Sequence, residues 1–134
     1  MEVQLFRIIV PVTDIDRAAR FYQTVLGKQG QRVSPGRHYF DCGGTILACF
    51  DARADGDPFA AAPNPEWHYI AVDSIDEAFA ACRRAAATPA PGDVHGEPAG
   101  QIVTRPWGER SFYVHDPFGN KLCFVDRATV FRGQ

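Results

Sequence analysis

A chain of 134 residues, 46 % of them hydrophobic, with a formal net charge of −2 and a pI of about 6.0, holds enough apolar material for one ordinary core or two small ones sharing it. Its arginines are scattered, and no basic stripe offers itself to a phosphate backbone, which argues against nucleic acid as a partner. No apolar run approaches about 18 residues, and the N-terminus opens without a basic segment and a long apolar core, so the reading is a soluble cytoplasmic protein with no membrane partner.

In chain order, Phe6, Ile8, Val10 and Val12 alternate with Arg7, Ile9 and Pro11, the period of a strand with one strongly apolar face. Asp14 is placed to cap a helix from about Ile15 to Leu26, striped by Ala18, Phe21, Tyr22 and Val25 and closed by Gly27. Short strands follow around Gln31 to Val33, Arg37 to Cys42 and Thr45 to Phe50, with turns at Ser34-Pro35-Gly36 and Gly43-Gly44. The order to this point is βαβββ.

Residues 52–65, rich in Asp, Gly, Pro and Ala, read as a linker. The pattern then restarts. Trp67 to Val72 forms a strand, Ser74 and Glu77 make a capping box for a helix to about Ala87, and a long Gly/Pro loop runs from Thr88 to Gly100. Gln101 to Thr104, Ser111 to His115 and Lys121 to Val125 supply three more strands, the last two joined by the turn Asp116-Pro117-Phe118-Gly119-Asn120. Trp107, just before a strand, is a candidate for a lid or a partner surface.

The restart is visible in the letters. At an offset of 60, Val12, Ile15, Asp16 and Ala18 meet Val72, Ile75, Asp76 and Ala78; at an offset of 75, Gly44, Leu47 and Asp51 meet Gly119, Leu122 and Asp126. The longer second loop accounts for the change of offset. The fold class is therefore α+β: two βαβββ modules, 4–51 and 66–126, a linker 52–65 and a tail 127–134, together one domain. Each sheet covers one face with its helix, and two such curved mixed sheets facing each other would enclose a cleft.

The four cysteines, Cys42, Cys49, Cys82 and Cys123, show neither a C-x-x-C pair nor the spacing of a secreted scaffold. They read as reduced, packed thiols.

Val12-Thr13-Asp14-Ile15-Asp16-Arg17-Ala18-Ala19-Arg20-Phe21-Tyr22 with Val25-Leu26-Gly27, then Val72-Asp73-Ser74-Ile75-Asp76-Glu77-Ala78, then the Asp116 to Asn120 turn, resemble the vicinal oxygen chelate superfamily of glyoxalase I, extradiol dioxygenases, fosfomycin resistance enzymes and bleomycin resistance proteins. The likeness spans about residues 4 to 126. It implies a scaffold that carries many reactions and a homodimer, swapped or side by side.

Metal-binding members of that family place a His, Gln or Glu on the first and last strand of each module. By motif, those positions are Arg7 and Ala48 in the first module and Trp67 and Cys123 in the second. Such a set lacks the imidazole, carboxylate or thiolate lone pairs of a three-ligand catalytic centre, so no metal and no cofactor is expected. A slip of one residue would substitute His68 for Trp67, but would turn Ile70 and Val72 toward the cleft. His115 lies on the Tyr113 side of its strand, at the rim or in the cleft; His38 and His95 read as solvated.

By alternation the cleft face carries Arg7 and Ile9 from one module, and Trp67, Tyr69, Tyr113, His115 and Cys123 with Val125 from the other. This is an aromatic surface with one fixed cation, suited to a small aromatic or drug-like ligand with an anionic group. The leading expectation is a metal-independent binding protein of bleomycin-resistance type, with no catalytic residue assigned. The alternatives are a metal-dependent lyase, isomerase or dioxygenase with unconventional ligands, and a metal-free enzyme using His115 or Cys123.

Overall fold

A computed structural model describes residues 1–133. The chain divides into two compact units, Met1–Asn64 and one beginning at Pro65.

In the first unit, β1 (Arg7–Pro11), α1 (Ile15–Leu26), β2 (Gln31–Ser34), β3 (Arg37–Cys42) and β4 (Thr45–Phe50) build a four-stranded sheet in the order β1-β4-β3-β2. Only the β1/β4 pair is parallel. Asp14 caps α1 by accepting the Arg17 N–H at 3.1 Å, and Gly27 ends it at φ +65°, a conformation that costs glycine nothing. The helix buries Ile15, Ala18, Phe21, Tyr22 and Val25 over the sheet face of Val10, Phe40, Leu47 and Cys49, all buried. The Tyr22 and Phe40 rings meet at 6.1 Å. His38 belongs to this same face and is buried rather than solvated: strand period sets it beside Phe40, 5.0 Å between rings, where its Nδ1 accepts from Arg32 and its Nε2 lies 3.0 Å from the Gln29 carbonyl. The start of the expected linker folds back as a short 3-10 turn, and Asp55 holds it there by accepting from Ser34, the Gly36 N–H and Arg37.

In the second unit, β5 (Trp67–Val72) and α2 (Ile75–Arg84) repeat the opening of the first. The Ser74 hydroxyl caps α2, accepting the Glu77 N–H at 3.2 Å. The helix stops three residues short of the expected Ala87. Ala86 sits at φ +57°, with its N–H donating to Arg83 and that of Ala87 to Cys82, a Schellman closure made without glycine.

Next come the short strands β6 (Thr88–Pro89), β7 (Asp93–Val94), β8 (Glu97–Pro98) and β9 (Val103–Thr104), then β10 (Arg110–His115) and β11 (Lys121–Asp126). β5, β11, β10 and β6 form one sheet, with β9 also paired to β10. The edge strand beside β10 is thus split in two. β6 pairs at Val114 and His115, β9 at Arg110 and Ser111, and between them the Ala90 N–H donates to Tyr113 while the Tyr113 N–H donates to Ala99. The intervening residues leave the sheet as the β7–β8 hairpin, whose corner residues His95 and Gly96 have φ +51° and +83°, the twist a two-residue hairpin requires. The extra length that shifts the repeat offset is this excursion.

The helix face of the second sheet carries Phe112, Leu122 and Phe124, all fully buried, with Phe112 stacked on Phe124 at 5.3 Å and edge-on to Phe79 at 5.0 Å. The two registers repeat residue for residue. Ile9 pairs with Ala48 across β1/β4 and Tyr69 with Cys123 across β5/β11, the same positions at offsets of 60 and 75. The architecture is α+β. Among the described residues no helix is long and apolar enough to cross a membrane.

Candidate small-molecule site

Strand alternation in the second unit sends Trp67 and Tyr69 from β5, Ser111, Tyr113 and His115 from β10, and Lys121, Cys123 and Val125 from β11 to the face opposite α2. The structure therefore brings Trp67, Tyr69, Tyr113, His115 and Cys123 onto one surface. They differ sharply in access. Tyr69 is 59 % exposed and Cys123 0 %.

The cause is the loop. Ala90 and Ala99 pack with Tyr113, Cys123 and Val125 in one buried cluster, and Trp67, Val94 and Val130 lean against it. The Cys123 thiol is pushed up to about 12, chiefly by burial, against the opposing pull of the Ser111 hydroxyl, Tyr113 and Arg105. At neutral pH it is a protonated, packed thiol and no nucleophile. Burial likewise raises the Tyr113 phenol, aided by its neighbours Cys123 and Tyr69.

Beside this cluster the surface opens into a pocket of about 420 Å³ lined on the sheet side by Trp67, Tyr113, His115 and Lys121, and on the loop side by Ala90, Asp93, Val94 and Ala99. Trp67 meets three of the other lining side chains. The Tyr113 ring stands edge-on to it at 5.0 Å, the His115 ring stacks on it at 5.6 Å with 23° between planes, and the Lys121 ammonium sits 5.7 Å from its centroid. Lys121 Nζ also donates to the Pro65 carbonyl at 3.1 Å.

Arg105 fixes the loop. It is 2 % exposed, and it donates through Nε to the Ser111 hydroxyl and through its two terminal nitrogens to the carbonyls of Pro98, Ala99, Gln101 and Ser111 at 3.0–3.3 Å. Its guanidinium carbon lies 5.1 Å from the Tyr113 centroid. A buried guanidinium is tolerable because neutral oxygens take up its donors. Neither Arg105 nor Asp93 is found by sequence pattern, since both sit in Gly/Pro-rich chain without periodicity. Lys121 was within reach of it, two residues from Cys123 on the same strand. Trp107 donates to Glu109 at 2.7 Å and meets His95 edge-on at 5.7 Å, outside the pocket lining.

His68 shares the α2 side with Leu122 and Phe124, its register partner being Leu122, so no slip of register brings it to the Trp67 face. In the first unit, Arg7 and Ile9 lie on the sheet face opposite α1, both exposed. Arg7 is 3.3 Å from the Tyr39 hydroxyl and stacks against the Phe6 ring at 5.1 Å. Of the positions at which the family resemblance places metal ligands, only Cys123 offers a donor atom, and that atom is buried and protonated. Among the described residues no three His, Cys, Asp or Glu side chains gather to hold a metal ion. The residues present do not fit such a centre.

Two βαβββ units, each a mixed sheet with one helix-covered face, define a paired-module α+β protein. Residues 4–124 match the Glyoxalase/Bleomycin resistance protein/Dioxygenase superfamily, and the chain belongs to it. Among solved structures it is similar to the oxidases ChaP-H2 (27 % identity, TM-score 0.71, covering 95 % of both chains) and ChaP-H1 (26 %, 0.68, 94 % of this chain and 97 % of that one). It is also similar to a glyoxalase/bleomycin resistance protein from Albidiferax ferrireducens T118 (19 %, 0.69, 90 % and 96 %). No curated protein matches it.

Proposed function

We propose that this protein binds a small aromatic molecule bearing an anionic group, without a metal ion, in the pocket lined by Trp67. The observation that carries the reading is the framing of one indole by Tyr113, His115 and Lys121 at the mouth of a 420 Å³ pocket. Flat apolar area captures a planar ring, and the ammonium supplies a charge-assisted contact for an acid. The protein works as a homodimer in this reading, as the family resemblance implies.

The test is a fluorescence titration with aromatic carboxylates in a Trp107→Phe background, where Trp67 is the remaining indole. Saturable quenching is expected, weakened about five- to tenfold by Lys121→Met. Quenching that is linear in ligand, or unchanged by Lys121→Met, overturns the reading. The likeness to two oxidases, ChaP-H1 and ChaP-H2, favours a second reading in which the bound aromatic is oxidised. Its mark is oxygen consumption dependent on Trp67 and on the aromatic ligand.

A further inference from the structure

We infer that the ligand of this pocket is a zwitterion, an aromatic molecule carrying a basic group opposite its acidic one. The inference rests on the pocket being a small-molecule site and narrows what fits it.

Lys121, His115 and Asp93 bring basic and acidic side chains to the lining. The first two stand on the sheet, against Trp67. Lys121 gives one of its three N–H bonds to the Pro65 carbonyl and keeps two for a ligand. Arg105 lies behind the lining, 5.1 Å from the Tyr113 ring, with its donors taken up by hydroxyl and carbonyl oxygens of both the loop and β10.

Asp93 stands on the opposite wall, at the start of the β7–β8 hairpin, where it pairs with Pro98 through the backbone register. Most aspartates elsewhere among the described residues are engaged; Asp57 is not. Asp14, Asp41 and Asp116 accept backbone N–H groups, and Asp16, Asp55 and Asp73 pair with arginines. The Asp93 carboxylate takes no hydrogen bond and no ion pair from any described residue, although it lines the pocket. The pocket is therefore polar end to end, cationic on the sheet and anionic on the hairpin, with the Trp67 and Tyr113 rings between. A purely anionic aromatic would satisfy Lys121 and leave Asp93 facing a like charge. A ligand with an ammonium at its far end satisfies both.

Three probes with one ring system separate the possibilities: free tryptophan, indole-3-propionate and tryptamine, titrated while the backbone amide shifts of residues 93–98 are followed by NMR. Tryptophan is expected to bind about tenfold tighter than either singly charged analogue. Asp93→Asn should bring tryptophan down to the affinity of indole-3-propionate without weakening the latter, and Lys121→Met should bring it down to that of tryptamine. Equal affinity for tryptophan and indole-3-propionate, with Asp93→Asn silent, overturns the zwitterion while leaving the aromatic-anion pocket standing. Failure of all three probes to shift those amides at millimolar concentration overturns both.

Discussion

Cys123 lies directly across from Tyr69 in the parallel pair of β5 and β11, yet the phenol is open to solvent and the thiol is sealed. The excursion from the sheet edge makes this difference, because Ala90 and Ala99 cover one of the two positions and not the other.

Thiol reactivity should follow that cover. Burial pushes both Cys82 and Cys123 up to about 12, so at pH 8 almost none of either is thiolate. Cys42 is half-buried at a strand end and is raised by burial and Asp41 but pulled back by Lys28. Alkylation of native protein, read by peptide mass spectrometry, is expected to modify Cys42 first and to reach Cys82 and Cys123 only in denaturant. Modification of Cys123 at a rate comparable to Cys42 would show that the loop opens freely.

Arg105 is the residue on which that loop hangs. Replacing it by Met removes a donor from the Ser111 hydroxyl and from four carbonyl oxygens, of which that of Ala99 keeps the Tyr113 N–H. Each unsatisfied buried group costs about 1–3 kcal/mol, reduced where water enters, so a total loss of about 2–4 kcal/mol is expected in urea unfolding. Amide exchange should rise selectively over residues 98–101. Uniform exchange across the second unit would mean that Arg105 supports the sheet rather than the loop.

The repeat made most of the fold legible. Helix caps at Asp14 and Ser74, the strand pairs and the Asp116 turn all sit where local chemistry puts them, and the paired registers of Ile9 with Ala48 and Tyr69 with Cys123 follow from the two offsets. The loop was not legible. Between Pro89 and Val103 the chain is held by hydrogen bonds to Tyr113, well along the chain, and to a buried arginine just beyond the loop, partners that no periodicity announces. The solvated reading of His38 failed for a simpler reason. A short strand beside Phe40 was read for its length instead of its alternation, which places His38 with Phe40 under α1.

The end of α2 offers a stabilising change. Ala86 holds φ +57°, which costs a residue with a Cβ about 1 kcal/mol relative to glycine, partly offset by glycine's greater unfolded entropy. Ala86→Gly is expected to raise stability by about 0.5 kcal/mol, read as a higher urea midpoint at unchanged slope. A lower midpoint would mean that the Ala86 methyl packs usefully.

His68 gives the fold a pH dependence with a definite sign. Its Nδ1 is buried without a partner, and desolvation lowers its pKa below the ordinary 6.5 of a histidine. The folded state therefore favours the neutral ring, and the unfolded chain binds more protons between the lowered value and about 6.5. This contribution to stability is complete above pH 6.5 and is lost as the pH falls through that window. His68→Gln cannot take up the proton, so the difference in unfolding free energy between wild type and His68→Gln should shift against the wild type on going from pH 7.5 to pH 5. A difference independent of pH would show that the ring is solvated in the native state.

The turn between β10 and β11 is held by one buried carboxylate. Asp116, 3 % exposed, accepts through Oδ1 from the Phe118 and Asn120 N–H groups and through Oδ2 from the Asn120 amide, each at 2.8 Å, while Gly119 takes φ +90° to close the loop. Asn120 is itself fully buried, and Asp116→Ala would take an acceptor from its amide and from two backbone donors. Lost charge-assisted bonds and unmet donors together predict about 2–4 kcal/mol of destabilisation. Asp116→Asn keeps one acceptor oxygen but turns the other into a donor facing the Asn120 amide, and should cost about half as much. Because the hairpin aligns His115 and Lys121, paired directly across it, the same substitution should weaken aromatic-anion binding more than Ala86→Gly does. Undiminished binding by a folded Asp116→Ala variant would detach the turn from the pocket.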